Sequence, residues 1–87
     1  MKRIYKYPFT IEAPTTVVLK VGAEVLKAGV QNGNPVMWAL VDPAAADETW
    51  TFDVYATGGE IDDAVDSVSY VDTIFLDNGL VFHIFVA

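Results

Sequence analysis

The sequence predicts an all-β protein, folded as a small antiparallel sandwich or partly open barrel of about seven short strands built from hairpins. Apolar and polar residues alternate with a period of two along most of the chain. The alternating runs are rich in β-branched and aromatic residues, and Gly, Pro, Asn and Asp separate them. We expect the 87 residues to form a single β domain over 1–87. Because the chain has no cysteine, packing or self-association must stabilise its core.

The first two strands are predicted in the segments RIYKYPFTI and TTVVLKV. Pro8 in the first segment cannot donate a ladder hydrogen bond, which favours an edge strand. The alternation in that segment places four side chains on one side of the strand: Tyr5, Tyr7, Phe9 and Ile11. The second segment places three apolar side chains on one side, namely Val17, Leu19 and Val21, opposite Thr16, Val18 and Lys20.

A β-hairpin is predicted around Asn32 and Gly33. Residues 23–31 include Ala, Glu, Leu and Lys, which suit a helix, but Gly29 and Val30 and the turn that follows favour a strand. Asn-Gly supplies the two residues of positive φ that a type I′ turn requires, and this turn matches the twist of a hairpin. The segment VMWALVD after the turn is apolar on both faces, which indicates a central strand.

The Asn-Gly turn also predicts the pairing of its two strands. The expected pairs are Gln31 with Asn34, Lys27 with Trp38, and Val25 with Leu40. In this register Lys27 can lay its aliphatic stem or its charge over the indole ring of Trp38.

Between this hairpin and the last one, the sequence predicts a capped turn, a long strand and a loop. Asp42 is expected to cap one helical turn in PAAADE, with Pro43 at the first helical position. The strand TWTFDVYAT is expected to point four side chains inward, Trp50, Phe52, Val54 and Ala56, and five outward, Thr49, Thr51, Asp53, Tyr55 and Thr57. The loop is GGEIDDAVD.

A second hairpin is predicted at the end of the sequence, where SVSYVDTIFL and LVFHIFVA flank DNG. A two-residue turn of Asn78 and Gly79 pairs Phe75 with Phe82, whereas a three-residue loop 77–79 does not. We favour the two-residue turn.

Charge is distributed unevenly along the chain, whose formal net charge is −7 at pH 7. All five Lys and Arg residues lie within positions 1–27, and ten of the 12 acidic residues lie within 28–87. An acidic chain without a basic stripe repels phosphate backbones, so we expect no nucleic-acid partner. The charge favours a basic protein partner, with a solvated acidic surface that aids solubility as the alternative.

Membrane and targeting segments are not predicted. No apolar run reaches the roughly 18 residues that a bilayer span requires. The segment MKRIYKYPFT lacks the apolar core and the cleavage site of a signal peptide. We therefore expect no membrane partner and synthesis in the cytoplasm.

Few residues in the sequence suit catalysis or metal binding. The single histidine, His83, lies in VFHIF among bulky apolar residues, so we favour a core or interface histidine over a general base. The acidic loop 60–66 lacks the spacing of an EF-hand, and nothing in the sequence brings Asp53 and Asp72 together as a glycosidase pair. We predict no catalytic residue, no metal ligand and no cofactor.

Aromatic residues are more numerous than a core of this size requires. They make up 13% of the chain, and such residues dominate protein interfaces. We take six residues as the candidate interface: Tyr5, Tyr7, Trp38, Tyr55, His83 and Phe85. In the alternative interpretation, most of the aromatic residues lie in the core.

Four segments, IYKYPF, VQNGNPVMWALVDP, TGGEI and GLVFHIFVA, resemble a family of small uncharacterised proteins encoded mainly by tailed bacteriophages. The resemblance covers nearly the whole chain and rests on seven positions: Asn32, Gly33, Pro35, Trp38, Asp42, Pro43 and His83. The chain departs from the family pattern at TGGEI, where relatives often have a histidine before a proline, and in its longer loop DDAVDSVS. The resemblance implies a phage origin, but it implies no molecular mechanism.

The sequence is consistent with three candidate functions. We favour a non-enzymatic phage accessory protein that acts in the host cytoplasm by binding, and thereby inhibiting, a host or defence protein. A virion component, such as a capsid decoration or tail-associated subunit, is the second, and an enzyme with His83 as its base is the third. We also expect a homodimer formed through an exposed strand edge or through the apolar C-terminal strand.

Overall fold

The computed structural model describes residues 1–87 and contains seven β-strands and one short 3-10 helix. The strands are β1 (Arg3–Pro8), β2 (Thr15–Lys20), β3 (Glu24–Gln31), β4 (Asn34–Val41), β5 (Asp47–Ala56), β6 (Tyr70–Phe75) and β7 (Val81–Val86). The 3-10 helix spans Ser67–Ser69 and immediately precedes β6. The structure contains no helix with the length and apolar character of a membrane span.

The seven strands form two antiparallel sheets, which confirms the predicted all-β fold. The first sheet has the order β1-β4-β3, and the second has the order β2-β5-β7-β6. They pack as a sandwich that does not close into a barrel. β4 is a central strand and β1 is an edge strand, as predicted from their sequences.

The core lies between the two sheets and takes side chains from both. Among the fully buried residues, Met37 and Ala39 come from the first sheet, and Phe52, Ile74 and Ile84 come from the second. The alternation predicted for β5 is confirmed at its centre, because Phe52 and Val54 are buried. The predicted alignment of Val21 with Val17 and Leu19 is wrong: Val17 and Leu19 are buried, whereas Val21 lies in the turn after β2 and is 49% exposed.

The first hairpin has the predicted turn, in which Asn32 and Gly33 have φ values of 52° and 79°. The pairs Gln31–Asn34 and Lys27–Trp38 are also confirmed. The expected pair Val25–Leu40 is wrong, because a β-bulge between Val25 and Lys27 shifts the register. Leu26 is the extra residue of the bulge.

The second hairpin has a different turn from the one we favoured. Phe75 pairs with Val81, so the expected pairing of Phe75 with Phe82 is wrong. Leu76 N–H donates to Leu80 O at 2.9 Å, which encloses a three-residue loop 77–79. A type I′ turn needs two successive residues of positive φ, and in this loop only Gly79 has one, with φ of 87°.

The predicted cap at Asp42 is present, although it caps a turn and not a helix. Ala44 N–H donates to Asp42 Oδ1 at 3.0 Å, and Ala45 N–H donates to the Asp42 carbonyl at 3.0 Å. The chain then enters β5 at Asp47, so no helical turn forms in PAAADE.

The sheets meet along one side, where β3 lies next to β6 and Asp72 connects them. The Asp72 carboxylate accepts from Ala28 N–H at 2.9 Å and lies 3.3 Å from the Lys27 ammonium. Lys27 therefore directs its charge to Asp72 and not to the indole of Trp38. The Trp38 ring lies over Gly29, where a Cβ atom would come within 3.4 Å of it.

Candidate functional site

The outer face of the second sheet carries a group of apolar and aromatic side chains, which the loop 57–69 borders at one end. Because residues two apart in a strand share a face, the register of β5, β7 and β6 brings six such residues together. We call them the aromatic face: Tyr55, Tyr70, Phe75, Val81, His83 and Phe85. Phe75 is 70% exposed and Tyr70 is 46% exposed.

Three of these side chains pack ring edge against ring face. The Phe85 ring lies between the other two, with centroid distances of 5.9 Å to Tyr55 and 5.6 Å to Tyr70. The interplanar angles are 67° and 70°, which is a favourable geometry for aromatic pairs. The three rings therefore form a pre-organised surface that loses little side-chain entropy on binding a partner.

His83 lies at the centre of the aromatic face, and hydroxyl groups engage both of its ring nitrogens. Nε2 lies 2.7 Å from Thr57 Oγ1, and Nδ1 lies 3.0 Å from Thr73 Oγ1. Thr73 Oγ1 is in turn 2.6 Å from the Tyr70 hydroxyl. This row of hydrogen bonds connects β6, β7 and the turn after β5, and it fixes the orientation of the imidazole. A general base instead needs a nitrogen directed at a substrate proton.

One end of the aromatic face borders an open groove of about 430 Å³, formed between the second sheet and the loop 57–69. We call it the acidic groove. Its polar lining includes Asp53, Asp62 and Asp66, and its apolar lining includes Tyr55 and Phe85. Partial burial raises the pKa of the Tyr55 hydroxyl above 10.0, and the nearby carboxylates of Asp53 and Asp62 raise this pKa further.

The acidic loop 60–66 is organised by hydrogen bonds to its own backbone. Ala64 N–H donates to Asp62 Oδ1 at 2.8 Å, and Val68 N–H donates to Asp66 Oδ1 at 3.0 Å. The second of these contacts caps the 3-10 helix. The structure has no group of three His, Cys, Asp or Glu side chains placed to hold a metal ion.

The structure keeps Asp53 and Asp72 apart. Asp53 lines the acidic groove on the outer face of the second sheet. Asp72 faces β3 at the contact between the two sheets, where it accepts hydrogen bonds from Ala28 and Thr73 N–H groups. The two carboxylates therefore do not converge on one site.

The six residues of the predicted interface divide among three places in the fold. Tyr55, His83 and Phe85 belong to the aromatic face. Tyr7 packs against the core, and its ring centroid is 6.4 Å from that of Tyr5. Trp38 lies on the outer face of the first sheet, on the opposite side of the sandwich.

The interface predicted from the sequence lacks three members of the aromatic face, namely Tyr70, Phe75 and Val81. The signal that could have found them is the register of the second hairpin. With a three-residue loop, Phe75 pairs with Val81 and Thr73 pairs with His83, which places Phe75 and Val81 on the face of His83. Tyr70 joins them because a bulge between Tyr70 and Asp72 shifts the register and pairs Tyr70 with Phe85.

A second apolar surface lies on the outer face of the first sheet. Its exposed members include Ile4, at 60%, and the bulged Leu26, at 52%. Trp38 and Leu40 are partly buried between them. Lys6 Nζ donates to Gln31 Oε1 at 2.6 Å across this face, which ties β1 to the end of β3.

The model of the family DUF7352, described as a domain of unknown function, matches residues 1–87. The chain therefore belongs to the DUF7352 family. No curated protein and no solved structure matches it.

Proposed function

We propose that this member of the DUF7352 family is a non-enzymatic phage accessory protein that binds a host or defence protein through its aromatic face and thereby inhibits it. The observation that carries the proposal is the aromatic face itself, on which Phe75 and Tyr70 are exposed beside the partly buried, edge-to-face rings of Tyr55 and Phe85. The proposed phage origin and host cytoplasmic location rest on the resemblance of the four sequence segments.

The energetics of protein interfaces support a contact at this face. Tyr, Trp and Arg anchors contribute most of the binding free energy at interfaces, because they bury a large area with few rotatable bonds. Phe75 is 70% exposed, so a partner would remove most of a phenyl ring from water. At about 25 cal/mol per Å² of apolar area, a single ring of this kind is worth about 2 kcal/mol or more.

Replacing Phe75 by Ala is expected to weaken partner binding at least about 30-fold, which corresponds to about 2 kcal/mol. The measurement is affinity capture from a bacterial host lysate, followed by titration of the identified partner with wild-type and variant protein. The matched control is Ile4→Ala, which removes a similarly exposed apolar side chain from the first sheet. Ile4→Ala is expected to bind as wild type does.

Two results would contradict the proposal. One is the absence of any saturable partner at low and moderate salt. The other is a partner that binds Phe75→Ala with wild-type affinity and loses binding to Ile4→Ala. Neither substitution is expected to change the free energy of unfolding by more than about 0.5 kcal/mol, because both side chains are exposed.

A virion component is the second candidate, and the apolar outer face of the first sheet favours it. A subunit packed between neighbours uses apolar surface on both sides, and Ile4 and Leu26 are more than half exposed on the side opposite the aromatic face. Mass spectrometry of purified phage particles decides between the two candidates. Detection of the protein at stoichiometric abundance in the particles favours the virion component. Its absence from the particles excludes that candidate function.

We also propose that the chain forms a homodimer through the free edge of β1. β7 lies between β5 and β6, so only its outer face, and neither of its edges, is open to a second chain. β1 pairs with β4 alone and leaves its other edge free. Light scattering is expected to give the mass of a dimer, and a monomer at high concentration would contradict the proposal. Phe9 N–H donates to Pro35 O, so the odd-numbered residues of β1 bond to β4 and the N–H of Ile4 points to the free edge. Replacing Ile4 by Pro removes that N–H and is expected to shift the equilibrium toward monomer.

A further inference from the structure

The acidic groove combines an aromatic floor with carboxylate groups. The floor includes the rings of Tyr55 and Phe85, which pack edge to face at 5.9 Å. Ala64 and Val65 of the loop 57–69 form apolar lining on the other side. With a volume of about 430 Å³, the groove is open to solvent and large enough for an extended side chain.

The carboxylates of the groove have no cationic partner within the chain. The two salt bridges of the structure, Lys20–Asp47 and Lys27–Asp72, lie elsewhere, and no Lys or Arg lines the groove. Asp62 and Asp66 each use only Oδ1 to accept a backbone N–H, which leaves Oδ2 of both residues for a ligand.

Only one common side-chain chemistry matches both parts of the groove. A guanidinium or ammonium group is attracted to the face of an aromatic ring, and it forms short charge-assisted hydrogen bonds with carboxylates. The aliphatic stem of Arg or Lys also packs against apolar surface. A divalent cation is a poorer match, because Ca²⁺ takes six to eight oxygen ligands and the aromatic floor supplies none from its ring faces.

We propose that the acidic groove binds an arginine or lysine side chain from a basic segment of the partner protein. This inference rests on the proposed function and names the chemistry of the partner. The groove then selects for positive charge, while the distant end of the aromatic face, at Phe75 and Val81, contributes apolar area. The length of β6 separates the two ends by about 16 Å, at 3.3 Å per residue.

The test is a titration followed by backbone amide NMR. The probe is a capped peptide, Gly-Arg-Gly-Arg-Gly, and its control is the same peptide with citrulline in place of both arginines. Citrulline keeps the shape of the arginine side chain and removes its charge. We expect saturable shifts at Tyr55, Asp62 and Phe85 with the arginine peptide at millimolar concentration, and none with the citrulline peptide.

The variant Asp53→Asn/Asp62→Asn is expected to weaken binding of the arginine peptide about tenfold, or about 1.4 kcal/mol. Asparagine at position 62 keeps an oxygen for Ala64 N–H, so the loop is expected to stay folded. The control variant Glu48→Gln/Asp77→Asn changes the net charge equally at exposed residues outside the groove, and it is expected to bind as wild type does.

Three results would overturn the inference: no saturable shift at the groove residues, equal binding of the citrulline peptide, or equal weakening by the control variant. Its failure is distinguishable from failure of the proposed function. If the partner captured in the earlier experiment requires Phe75 but binds Asp53→Asn/Asp62→Asn normally, then the aromatic face binds the partner and the groove does not bind its basic segment.

Discussion

Replacing Phe52 by Ala is expected to destabilise the fold by about 3–5 kcal/mol, the usual range for a buried phenylalanine. Phe52 is 0% exposed, and its ring stacks on Trp50 with a centroid distance of 6.0 Å. Removing the ring leaves a cavity between the two sheets that the surrounding strands cannot close. Domains of this size have a free energy of unfolding of about 5–15 kcal/mol, so the variant approaches the unfolding threshold.

Urea unfolding followed by circular dichroism measures this effect. The matched control is Val18→Ala, on the outer face of the same sheet, where the valine is 54% exposed. The control is expected to change stability by less than about 0.5 kcal/mol. Equal unfolding midpoints for Phe52→Ala and wild type would show that the core does not lie where the structure places it.

The second large effect is expected at Asp72, where Asp72→Ala should cost about 2–3 kcal/mol. The substitution leaves the Ala28 N–H without an acceptor at the contact between the sheets and removes the ion pair with Lys27. The cost arises mainly from the unsatisfied N–H, because the Lys27 side chain is 68% exposed and its ion pair contributes little. Asp72→Asn retains an acceptor oxygen and is expected to lose less than half as much stability.

The same carboxylate gives stability a dependence on pH. Burial raises the pKa of Asp72, but hydrogen bonds from the Ala28 and Thr73 N–H groups and the charge of Lys27 outweigh it, so the net pKa lies below 3.8. A lowered pKa in the folded state stabilises the fold above the unfolded-state pKa, and this contribution is lost as the pH falls through the folded value. The stability gap between wild type and Asp72→Asn is therefore expected to narrow below about pH 4. A gap that stays constant down to pH 2 would contradict this role.

The strands could be predicted from the sequence because burial of one face imposes the alternation. Phe52 and Val54 illustrate this in β5, and the Asn32-Gly33 turn could be predicted because few dipeptides adopt its positive φ angles. The predicted strand registers were wrong at the two places where the pairing depends on one extra residue. The bulge at Leu26 and the three-residue loop 77–79 each move a strand by one position, and local composition fits both alternatives.

The candidate site was harder to predict, because exposure depends on how the sheets pack and not on residue type. Tyr7 and Tyr55 have the same chemistry, yet Tyr7 packs against the core and Tyr55 lies on an outer face. Trp38 lies on the opposite side of the sandwich from Phe85 because the two residues belong to different sheets. The acidic groove depends on the path of the loop 57–69, which has no periodic pattern to reveal it.

The most direct test of binding through the aromatic face is amide hydrogen–deuterium exchange of the chain, alone and in complex with its captured partner. We predict slower exchange in the complex within residues 57–80, which include the loop over the acidic groove, β6 and the loop after it. Exchange within 3–8 and 24–31, the edge strands of the first sheet, is expected to change little. Protection confined to those two segments, with residues 57–80 unchanged, would contradict binding through the aromatic face.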